Sequence, residues 1–462
     1  MRITFHGAAR AVTGSMYLVE VGGRKLLLEC GIHQGKREAS EAQNRSLPFD
    51  PAGIEAMVLS HAHLDHSGNI PTLVKGGFAG RIAMTGATGD LLGIMLKDSA
   101  HIQASDLKTV NRRHQEAGLP PKEPLYTEEH VERALALFDT YPYDRPFSPM
   151  PGVTATFHDA GHILGSAMVE LALTENGTTR TLFFTGDLGR KGMPIIRDPY
   201  QARKADYLMT ESTYGDRVHG AFGDTVAKLE RLVREVYQRR GKIVIPSFSV
   251  GRTQEIVYEL HRMFNTGALP PMPIFVDSPL SANATEVFRA HPECFDEETV
   301  QLFGKEDDPF GFRRLTYVGS SEDSKKLNHI KEPCVIISAS GMCEGGRILH
   351  HLANSLGDRR NMVLIVGFQA EGTLGRKLVE KRPSVRIFGQ EHQVQAQVEV
   401  LNGFSAHADR NEIIDWVRSL GAVRRAFLVH GEEKQCLQLE SSLQQLGVPA
   451  TVPVLGQAEE LT

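Results

Sequence analysis

The stretch Ser60-His61-Ala62-His63-Leu64-Asp65-His66-Ser67 holds three imidazoles and one carboxylate within six positions, directly after the apolar run Ala56-Met57-Val58-Leu59. The apolar run predicts a buried strand, so the polar residues begin where a strand ends. Neutral imidazoles and carboxylates are ligands that zinc accepts. Because so short a turn does not wrap four side chains around one ion, the pattern favours two adjacent ions, with the first two histidines on one and the Asp-His pair on the other. The alternative is a histidine-rich polar loop that binds no metal.

Two ions need more than four ligands, and three later segments offer them at the ends of strands. His162 lies in the glycine-flanked loop Gly161-His162-Ile163-Leu164-Gly165, Asp187 follows an apolar strand, and His430 ends another. Loops carried by a rigid sheet are where metal and catalytic sites usually sit. Taken alone, each residue has a plainer explanation: a histidine at a strand end is often solvated, and an aspartate in Thr-Gly-Asp is often a turn residue. Together they predict a metal site assembled from distant segments.

Composition and charge set the broad class of the chain. Its 462 residues are 41% hydrophobic and 23% charged, which is typical of a soluble globular protein of two or more domains. The net charge of −5 gives no global signal for nucleic acid. Five dispersed cysteines without a CxxC pair favour reduced thiols and a cytoplasmic location. The sequence shows no signal peptide, no apolar run of about 18 residues and no phosphate-binding GxxxxGK(S/T) loop, so neither a membrane partner nor nucleotide hydrolysis is expected.

The order of the predicted elements divides the chain into three segments. Residues 1–205 combine strands and helices in a pattern that suits a sheet sandwich with helices outside. From residue 206 to about 390, apolar strands alternate with helices, which indicates a mainly parallel sheet covered on both faces. The strand predicted over 385–388 is assigned to that sheet, and a strand after residue 395 to the last segment, 391–462. We interpret 206–390 as a domain inserted into a first domain that resumes afterwards.

The complete set of motifs resembles the metallo-β-lactamase superfamily and, within it, the β-CASP nucleases. The resemblance covers essentially the whole chain and is strongest to bacterial and archaeal ribonucleases similar to the cleavage subunit of eukaryotic pre-mRNA 3′-end processing. It implies an α/β fold: a metallo-β-lactamase αββα sandwich with an inserted β-CASP α/β domain. The motifs that carry it are the histidine stretch, Thr210-Glu211-Ser212-Thr213-Tyr214-Gly215, Phe404-Ser405-Ala406-His407-Ala408-Asp409, Leu428-Val429-His430-Gly431, Pro246-Ser247-Phe248-Ser249-Val250-Gly251-Arg252, Asp277-Ser278-Pro279-Leu280 and Ser338-Ala339-Ser340-Gly341-Met342-Cys343.

The resemblance also implies roles for individual residues. The two aspartates of the metal site would orient an attacking water, and His407 with Glu211 would form a catalytic pair beside the scissile phosphate. The family usually has Asp where this chain has Glu29, so the support that Glu29 gives to the histidine loop is open. The implied ligands of two zinc ions are His61, His63 and His162 for one, Asp65, His66 and His430 for the other, and Asp187 as the bridge.

The activity implied by the resemblance is zinc-dependent hydrolysis of single-stranded RNA, mainly endonucleolytic, which leaves 5′-phosphate and 3′-hydroxyl ends. The expectation of an RNA rather than a DNA substrate rests on His430, because the Artemis-type DNA nucleases usually have Val at that position. The alternatives are a 5′-to-3′ exoribonuclease, a small-molecule ester or thioester hydrolase, and a catalytically silent RNA-processing scaffold. The long insertion with Glu211 and His407 argues against a small substrate, and the complete ligand set argues against the scaffold. The oligomeric state, including a homodimer, stays open.

Serines, a glycine and arginines at the strand ends of the insertion are predicted to contact the RNA. Backbone N–H groups at a helix start and arginine guanidinium groups both favour phosphate. A helix is predicted to open at the glycines from Gly341 and to run to Leu356. A solvated charge is the alternative for each arginine, and a plain turn for the glycines. The predicted substrate-binding residues are Ser247, Arg252, Ser278, Ser338, Ser340, Gly341, Arg347 and Arg376.

Overall fold

The computed structural model describes residues 1–35, 37–305 and 308–462, and these form two compact units. The main segment of the second unit begins at His219 rather than at residue 206, because the strand Tyr207–Glu211 pairs in parallel with the strand Arg425–Val429 of the first unit. It ends at Ala406 rather than near residue 390. The first unit consists of Met1–Lys191, Asp198–Val218 and His407–Thr462, and the second of Gly192–Arg197 and His219–Ala406.

The first unit contains two mixed sheets of seven strands each, counted over its described residues. In the first sheet, the last strand of the chain and the first three strands pair antiparallel. The third strand and the three that come after it in the chain, the first of which leads to the histidine stretch, pair in parallel. Its strands, in spatial order, are Ala458–Glu460, Arg2–Phe5, Tyr17–Val21, Arg24–Leu28, Ala56–Val58, Arg81–Met84 and Phe138–Thr140.

The second sheet of this unit carries the later site residues at the ends of its strands. Four strands run in parallel at one side, and the last of them, Thr178–Phe184, also begins an antiparallel meander with the remaining three. Its strands, in spatial order, are Ala450–Thr451, Arg425–Val429, Tyr207–Glu211, Thr178–Phe184, Ala167–Glu175, Val153–Asp159 and Phe147–Met150.

The core of the first unit lies between these two sheets. Leu26 and Leu28 of one sheet and Leu182 and Phe184 of the other belong to one buried cluster, as expected when alternate strand residues share a face. Phe183, on the opposite face, is buried against Trp416 of a helix, with ring centroids 5.6 Å apart. Fully burying such side chains stabilises by roughly 1.5–3 kcal/mol each. The αββα sandwich predicted from the sequence is confirmed.

One long helix ties the helical layer to the site. The helix Gly86–Glu116 begins at Thr85, whose hydroxyl accepts from the Thr88 N–H at 3.3 Å and donates to the Gly165 carbonyl at 2.6 Å, three residues after His162. No helix in the described part of the chain combines the length and apolarity needed to cross a bilayer. The α-helices of the first unit are Arg37–Arg45, Leu64–Ser67, Ile70–Lys75, Gly86–Glu116, Glu128–Leu135, Arg410–Ser419 and Glu433–Gln445.

The second unit is built on a sheet whose six described strands are all parallel, as predicted. Cys334–Ser338 at its centre is buried at every position, which is typical of a strand covered on both faces. The assignment of the strand after residue 395 to the resumed first domain is wrong: that strand pairs with Met362–Ile365. In spatial order the strands are Leu315–Tyr317, Ile274–Val276, Cys334–Ser338, Lys242–Pro246, Met362–Ile365 and Gln397–Val400.

The strand predicted over 385–388 also lies elsewhere. Ser384–Ile387 pairs antiparallel with Gln390–Gln393 in a separate two-stranded ribbon rather than in the parallel sheet. Phe388 and Gly389 join the two strands with φ values of 52° and 79°. Two consecutive residues with positive φ form the tight turn that closes a hairpin, so this segment folds back on itself.

One helix of the second unit begins later than predicted. The helix expected from Gly341 begins only at Ile348, because Cys343 and Gly346 have φ values of 60° and 78°, which a right-handed helix excludes. The α-helices of this unit are Phe222–Gln238, Arg252–Asn265, Pro279–Ala290, Glu297–Gly304, Ser321–Leu327, Ile348–Ser355 and Leu374–Val379.

Candidate metal centre

The histidine stretch turns sharply after its strand and so points several side chains into one place. The strand Ala56–Val58 leads into a short helix, Leu64–Ser67, which carries Asp65 and His66. The Ser67 hydroxyl donates to the carbonyls of Ala62 and His63, at 3.0 and 2.9 Å, and holds this turn closed. The other predicted ligands arrive from the second sheet, so the site lies at the end of the sandwich within the first unit.

Four predicted ligand atoms converge in a first cluster. His63 Nδ1 lies 3.2 Å from His61 Nε2 and 3.2 Å from His162 Nε2. Asp187 Oδ2 lies 3.4 Å from the same two Nε2 atoms. These four residues therefore present one ligand atom each toward a common point, with mutual distances below 4.8 Å.

A second cluster lies on the other side of Asp187. His430 Nε2 is 3.3 Å from Asp65 Oδ2, and His66 Nε2 is 3.3 Å from Asp187 Oδ1. Asp65, His66 and His430 together form a second group with metal-binding spacing. One carboxylate thus turns Oδ2 to the first cluster and Oδ1 to the second, which is the arrangement that a bridging ligand requires.

The protonation of the imidazoles suits a metal ligand. Burial lowers the pKa of His61 to about 3 and the pKa of His63 to about 4, and it lowers the pKa of His162 well below its usual value. These three rings are neutral at pH 7 and keep a lone pair on the nitrogen that faces the cluster. Neutral imidazole is the form that binds zinc and similar ions.

The second cluster favours positive charge instead. Burial alone would lower the pKa of His66, but the Asp187 and Glu29 carboxylates raise it well above its usual value. Burial alone would raise the pKa of Asp65, but the hydrogen bond from His430 and the neighbouring imidazoles hold it below its usual range. This pocket therefore stabilises a cation next to His66 Nε2, whether that cation is a proton or a metal ion.

Unsatisfied buried atoms provide the test of whether a metal fits. His66 Nε2 and Asp187 Oδ1 are both buried and neither has a hydrogen-bond partner among the described residues. A buried polar atom without a partner costs roughly 1–3 kcal/mol. A metal ion held by imidazole nitrogen and carboxylate oxygen would satisfy both atoms, so the donor set fits a divalent cation.

Glu29 supports the histidine stretch despite its extra methylene group. Its Oε1 accepts from the Ser60 N–H at 2.7 Å, and its Oε2 accepts from the Ser60 hydroxyl at 2.8 Å. The same Oε2 lies 2.6 Å from His66 Nδ1. A carboxylate at Nδ1 fixes the ring and leaves Nε2 for the cluster.

Two supporting hydroxyls were not predicted from the sequence. The Ser60 hydroxyl lies 2.9 Å from His61 Nδ1, and the Thr213 hydroxyl lies 3.0 Å from His430 Nδ1. Each hydroxyl occupies one ring nitrogen and orients the other toward the cluster. Ser60 directly precedes His61, so a search for hydroxyls beside predicted ligands would have found it, whereas Thr213 lies 217 positions from His430 and only the fold brings the two together.

The predicted pair of His407 and Glu211 is close to the first cluster. His407 Nδ1 lies 3.1 Å from both Glu211 oxygens, and its ring centroid is 4.5 Å from that of His162. Burial alone would lower the pKa of His407, but the charge and hydrogen bond of Glu211 raise it to about 9. Glu211 is fully buried and also accepts from the Leu188 N–H at 2.6 Å. With Nδ1 held by Glu211, Nε2 is the nitrogen that can reach a substrate.

Three predicted substrate-binding serines lie in the second unit with their hydroxyls engaged in its own loops. The Ser338 hydroxyl donates to the Asp277 carbonyl at 2.8 Å, and the Ser278 hydroxyl caps a helix at the Ser281 N–H, 3.1 Å away. Ser247 is buried as well, with its hydroxyl 3.3 Å from the Phe248 carbonyl. These hydroxyls shape the strand-end loops.

The arginines predicted to bind phosphate are each paired with a carboxylate. Arg252 is 9% exposed and pairs with Glu255. Arg347 pairs with Asp277 at 2.6 Å and also donates to two backbone carbonyls. Arg376 pairs with Glu380 at 2.9 Å.

The remaining predicted contacts differ in exposure. The Arg376 side chain is 46% exposed. Ser340 is half-buried, and its hydroxyl accepts from the Glu344 N–H at 3.2 Å. Gly341 is buried beside the Phe248 ring. Of the eight predicted substrate-binding residues, Arg376 has the most exposed side chain, and those of Ser340 and Arg347 are partly exposed.

Family models match three parts of the chain. The metallo-beta-lactamase superfamily matches residues 9–234, the Beta-Casp domain matches 253–378, and the Zn-dependent metallo-hydrolase RNA specificity domain matches 391–453.

Similar proteins extend over nearly the whole chain. It is 37% identical to ribonuclease TTHA0252 of Thermus thermophilus over 99% of both chains. It is 31% identical to the transcription termination factor FttA of Methanocaldococcus jannaschii, over 96% of this chain and 69% of FttA. An RNase J-like protein of the same organism is 28% identical over 98% of both chains. The solved structure of a protein of unknown function from Enterococcus faecalis V583 has the same fold, with a TM-score of 0.55 and 13% identity over 99% of both chains.

Proposed function

The chain belongs to the β-CASP ribonuclease family of the metallo-β-lactamase superfamily, and we propose on that premise that it hydrolyses single-stranded RNA, mainly at internal phosphodiester bonds. As a member of this family it is a metal-dependent hydrolase. Relatives named as ribonucleases and a model described by RNA specificity support RNA as the substrate. The proposed products carry a 5′-phosphate and a 3′-hydroxyl.

Two zinc ions are the proposed cofactors. The first would be held by His61, His63 and His162 and the second by Asp65, His66 and His430, with one oxygen of Asp187 toward each. When bound, such ions lower the pKa of water and offset the charge of a phosphate.

The aspartates of the site have a task of their own in this proposal. Asp187 is buried between the clusters, whereas the Asp65 side chain is 22% exposed and faces both the ligands and solvent. Their carboxylates accept hydrogen bonds from the attacking water and orient it in line with the 3′ oxygen that leaves. The water oxygen bonds to phosphorus and becomes part of the 5′-phosphate, while a proton of the water passes to the partly exposed Asp65 carboxylate and from there to solvent.

His407 supplies the proton that the leaving oxygen needs. Its Nδ1 is held by Glu211, so its Nε2–H donates to the 3′ oxygen as the bond to phosphorus breaks. The buried Glu211 carboxylate stabilises the imidazolium before the transfer and fixes the ring in one orientation. Glu211 thus acts on the substrate through His407.

Substrate contacts and location complete the proposal. We assign Ser340 and Arg376 to contact with the RNA backbone, because their polar groups remain accessible. Ser247, Arg252, Ser278, Ser338, Gly341 and Arg347 make contacts within the second unit, and we do not assign them to the RNA. The five cysteines are free and buried, which suits the reducing conditions of the cytoplasm.

The observation that carries the proposal is the Asp187 carboxylate, which turns Oδ2 to the first cluster and Oδ1 to the second, where Oδ1 and His66 Nε2 are buried without a hydrogen-bond partner among the described residues. The test is digestion of one single-stranded RNA, labelled either at its 5′ end or internally, by the zinc-loaded protein. Internal fragments with 5′-phosphates are expected, and Asp187→Asn should give none. Stepwise release of mononucleotides from the 5′ end would show that the protein is an exonuclease rather than an endonuclease. Fragments with 5′-hydroxyls and cyclic phosphates would overturn attack by water.

A further inference from the structure

A buried arginine joins two segments of the site without being a ligand or a substrate contact. Arg190 follows Asp187 by three residues, and its side chain is 8% exposed. Its Nε lies 3.2 Å from both carboxylate oxygens of Glu412. Glu412 belongs to the first turn of the helix Arg410–Ser419, which begins three residues after His407.

Glu412 also fixes the start of that helix. Its Oε2 accepts from the Asp409 N–H at 2.8 Å, and Asp409 Oδ1 accepts from the N–H groups of Asn411 and Glu412, at 2.8 and 3.0 Å. This capping box determines where the chain enters the helix. His407 is the second residue before the box, so the position of its backbone depends on the same contacts.

The segment after Asp187 makes hydrogen bonds to Glu211 and to the backbone beside His407. The Leu188 carbonyl accepts from the Ala408 N–H at 2.7 Å, directly beside His407. The Leu188 N–H donates to Glu211 at 2.6 Å. Residues 188–190 therefore contact the carboxylate that orients His407, the backbone next to His407, and the helix that follows it.

We propose that Arg190 is a positioning residue for His407, acting through Glu412 to hold the segment 407–412 against the loop after Asp187. The inference rests on the proposed role of His407 in leaving-group protonation. A guanidinium stays charged at any working pH and can span both oxygens of a carboxylate, which makes it suited to a buried contact of this kind. Removing the Glu412 charge leaves the Arg190 side chain, only 8% exposed, without its carboxylate, and removing the guanidinium releases Glu412, which is 31% exposed, from the loop after Asp187. In either case the segment 407–412 is no longer held in place.

The effect should appear in kcat rather than in KM. A displacement of about 1 Å in a catalytic group costs on the order of 10²-fold in rate, so a kcat loss of 10–100-fold is expected. Substrate binding does not depend on His407 in the proposal, so KM should stay nearly constant. The zinc content should also remain at the wild-type value, because no ligand of either cluster is removed.

The experiment compares Arg190→Met and Glu412→Gln in the full-length, zinc-loaded protein. Glu412→Gln keeps a carbonyl oxygen for the Asp409 N–H but removes the charge that faces Arg190. Both variants should lose a similar factor in kcat on a short single-stranded RNA, and the double variant should lose no more than either one. Zinc per chain and the melting temperature are measured alongside. If Arg190→Met does not fold, Arg190→Lys and Glu412→Gln carry the comparison.

Arg425→Met is the matched control. Arg425 pairs with Glu459 at 2.6 Å, at the start of the strand whose far end leads to His430, and its side chain is 46% exposed. Loss of this exposed pair should change kcat by less than about two-fold. It tests whether the loss of any ion pair in the unit is enough to disturb the site.

Activity measured in a His407→Ala variant shows whether Arg190 acts through His407. If it does, adding Arg190→Met to His407→Ala should cause almost no further loss of activity. A full 10–100-fold further loss, or wild-type kcat in both Arg190→Met and Glu412→Gln, would overturn the inference. Near-normal activity of His407→Ala would instead overturn the proposed role of His407 in leaving-group protonation, so the two failures are distinguishable.

Discussion

Two buried aspartates, one in each unit, have opposite surroundings. The Asp277 side chain is fully buried in the second unit, and both of its oxygens accept hydrogen bonds. Arg347 donates to Oδ1 at 2.6 Å, while Ser324 and His351 lie 2.5 and 2.6 Å from Oδ2. This carboxylate is satisfied by its own chain.

Asp187 of the first unit is equally buried but incompletely bonded. Its Oδ1 has no hydrogen-bond partner among the described residues, although His66 Nε2 and His430 Nδ1 lie 3.3 and 3.5 Å away. Histidine and aspartate are present in both places, so residue type does not separate them. What separates them is whether each buried polar atom is satisfied, and this distinguishes a structural network from a site that binds a cation.

Asp187→Asn tests this contrast with the largest expected effect. An amide offers one oxygen and turns an NH₂ group toward an imidazole, so it cannot serve both clusters. Activity should fall on the order of 10³-fold or more, and the zinc content should fall below two per chain. Added zinc should raise the melting temperature of the wild type more than that of the variant. Full activity with two zinc ions would contradict the comparison.

His407→Ala should have the next largest effect. The proton donor is lost while both clusters keep their ligands, so kcat should fall by about 10²–10³-fold with unchanged zinc. A phosphodiester whose leaving group is 4-nitrophenolate needs no proton and serves as the control substrate. It should lose much less activity. An equal loss on both substrates would show that His407 does not protonate the leaving group.

Asp277→Asn should affect stability and leave the metal site intact. The variant removes the charge that Arg347 and His351 share, and the free energy of unfolding should fall by about 3 kcal/mol. Zinc content and kcat per folded molecule should match the wild type. Urea unfolding and metal analysis check the two halves of this prediction. Loss of zinc in Asp277→Asn would erase the distinction between the two aspartates.

The same carboxylate predicts a pH dependence. Burial alone would raise the pKa of Asp277, but hydrogen bonds from His351, Ser324 and Arg347 lower it below its usual value. A lowered folded-state pKa means that the stability contribution is complete above the unfolded pKa of about 4 and is lost as pH falls through the folded pKa. The stability difference between wild type and Asp277→Asn should therefore be constant at neutral pH and shrink below pH of about 4. A difference that grew on acidification would contradict this sign.

Arg376→Ala should have the smallest effect on stability. Its pair with Glu380 is exposed on a helix, so the free energy of unfolding should stay close to the wild-type value. If Arg376 contacts phosphate, RNA affinity should fall and the salt slope of binding should decrease by about one. Arg231→Ala removes an equally spaced exposed pair with Glu235 and is the control. Identical binding by both variants would remove Arg376 from the substrate contacts.

The cluster residues were predictable because their signal is local. The histidine stretch, His162, Asp187 and His430 each follow an apolar strand or lie in a glycine-flanked loop, and the fold brings the ends of these strands together. The sandwich was predictable for a similar reason, since alternating and continuous apolar runs report directly on strand burial. The fit of Glu29 needed coordinates, because its reach depends on the path of the backbone between residues 29 and 60.

Contacts made by the tertiary fold were not predictable from spacing. Nothing local pairs Arg190 with Glu412, 222 positions away. Arg347 was interpreted as a phosphate contact because its partner, Asp277, lies in another motif block. The strand Gln397–Val400 was assigned to the wrong unit, because nothing in its sequence indicates which strand it pairs with.

The most direct test of the account is anomalous diffraction at the zinc edge from crystals of the zinc-loaded protein. The account predicts two peaks about 3.5–4 Å apart, one beside Asp187 Oδ2 among His61, His63 and His162, and one beside Oδ1 among Asp65, His66 and His430. A single peak, or peaks away from Asp187, would contradict the bridging role on which the proposed chemistry depends.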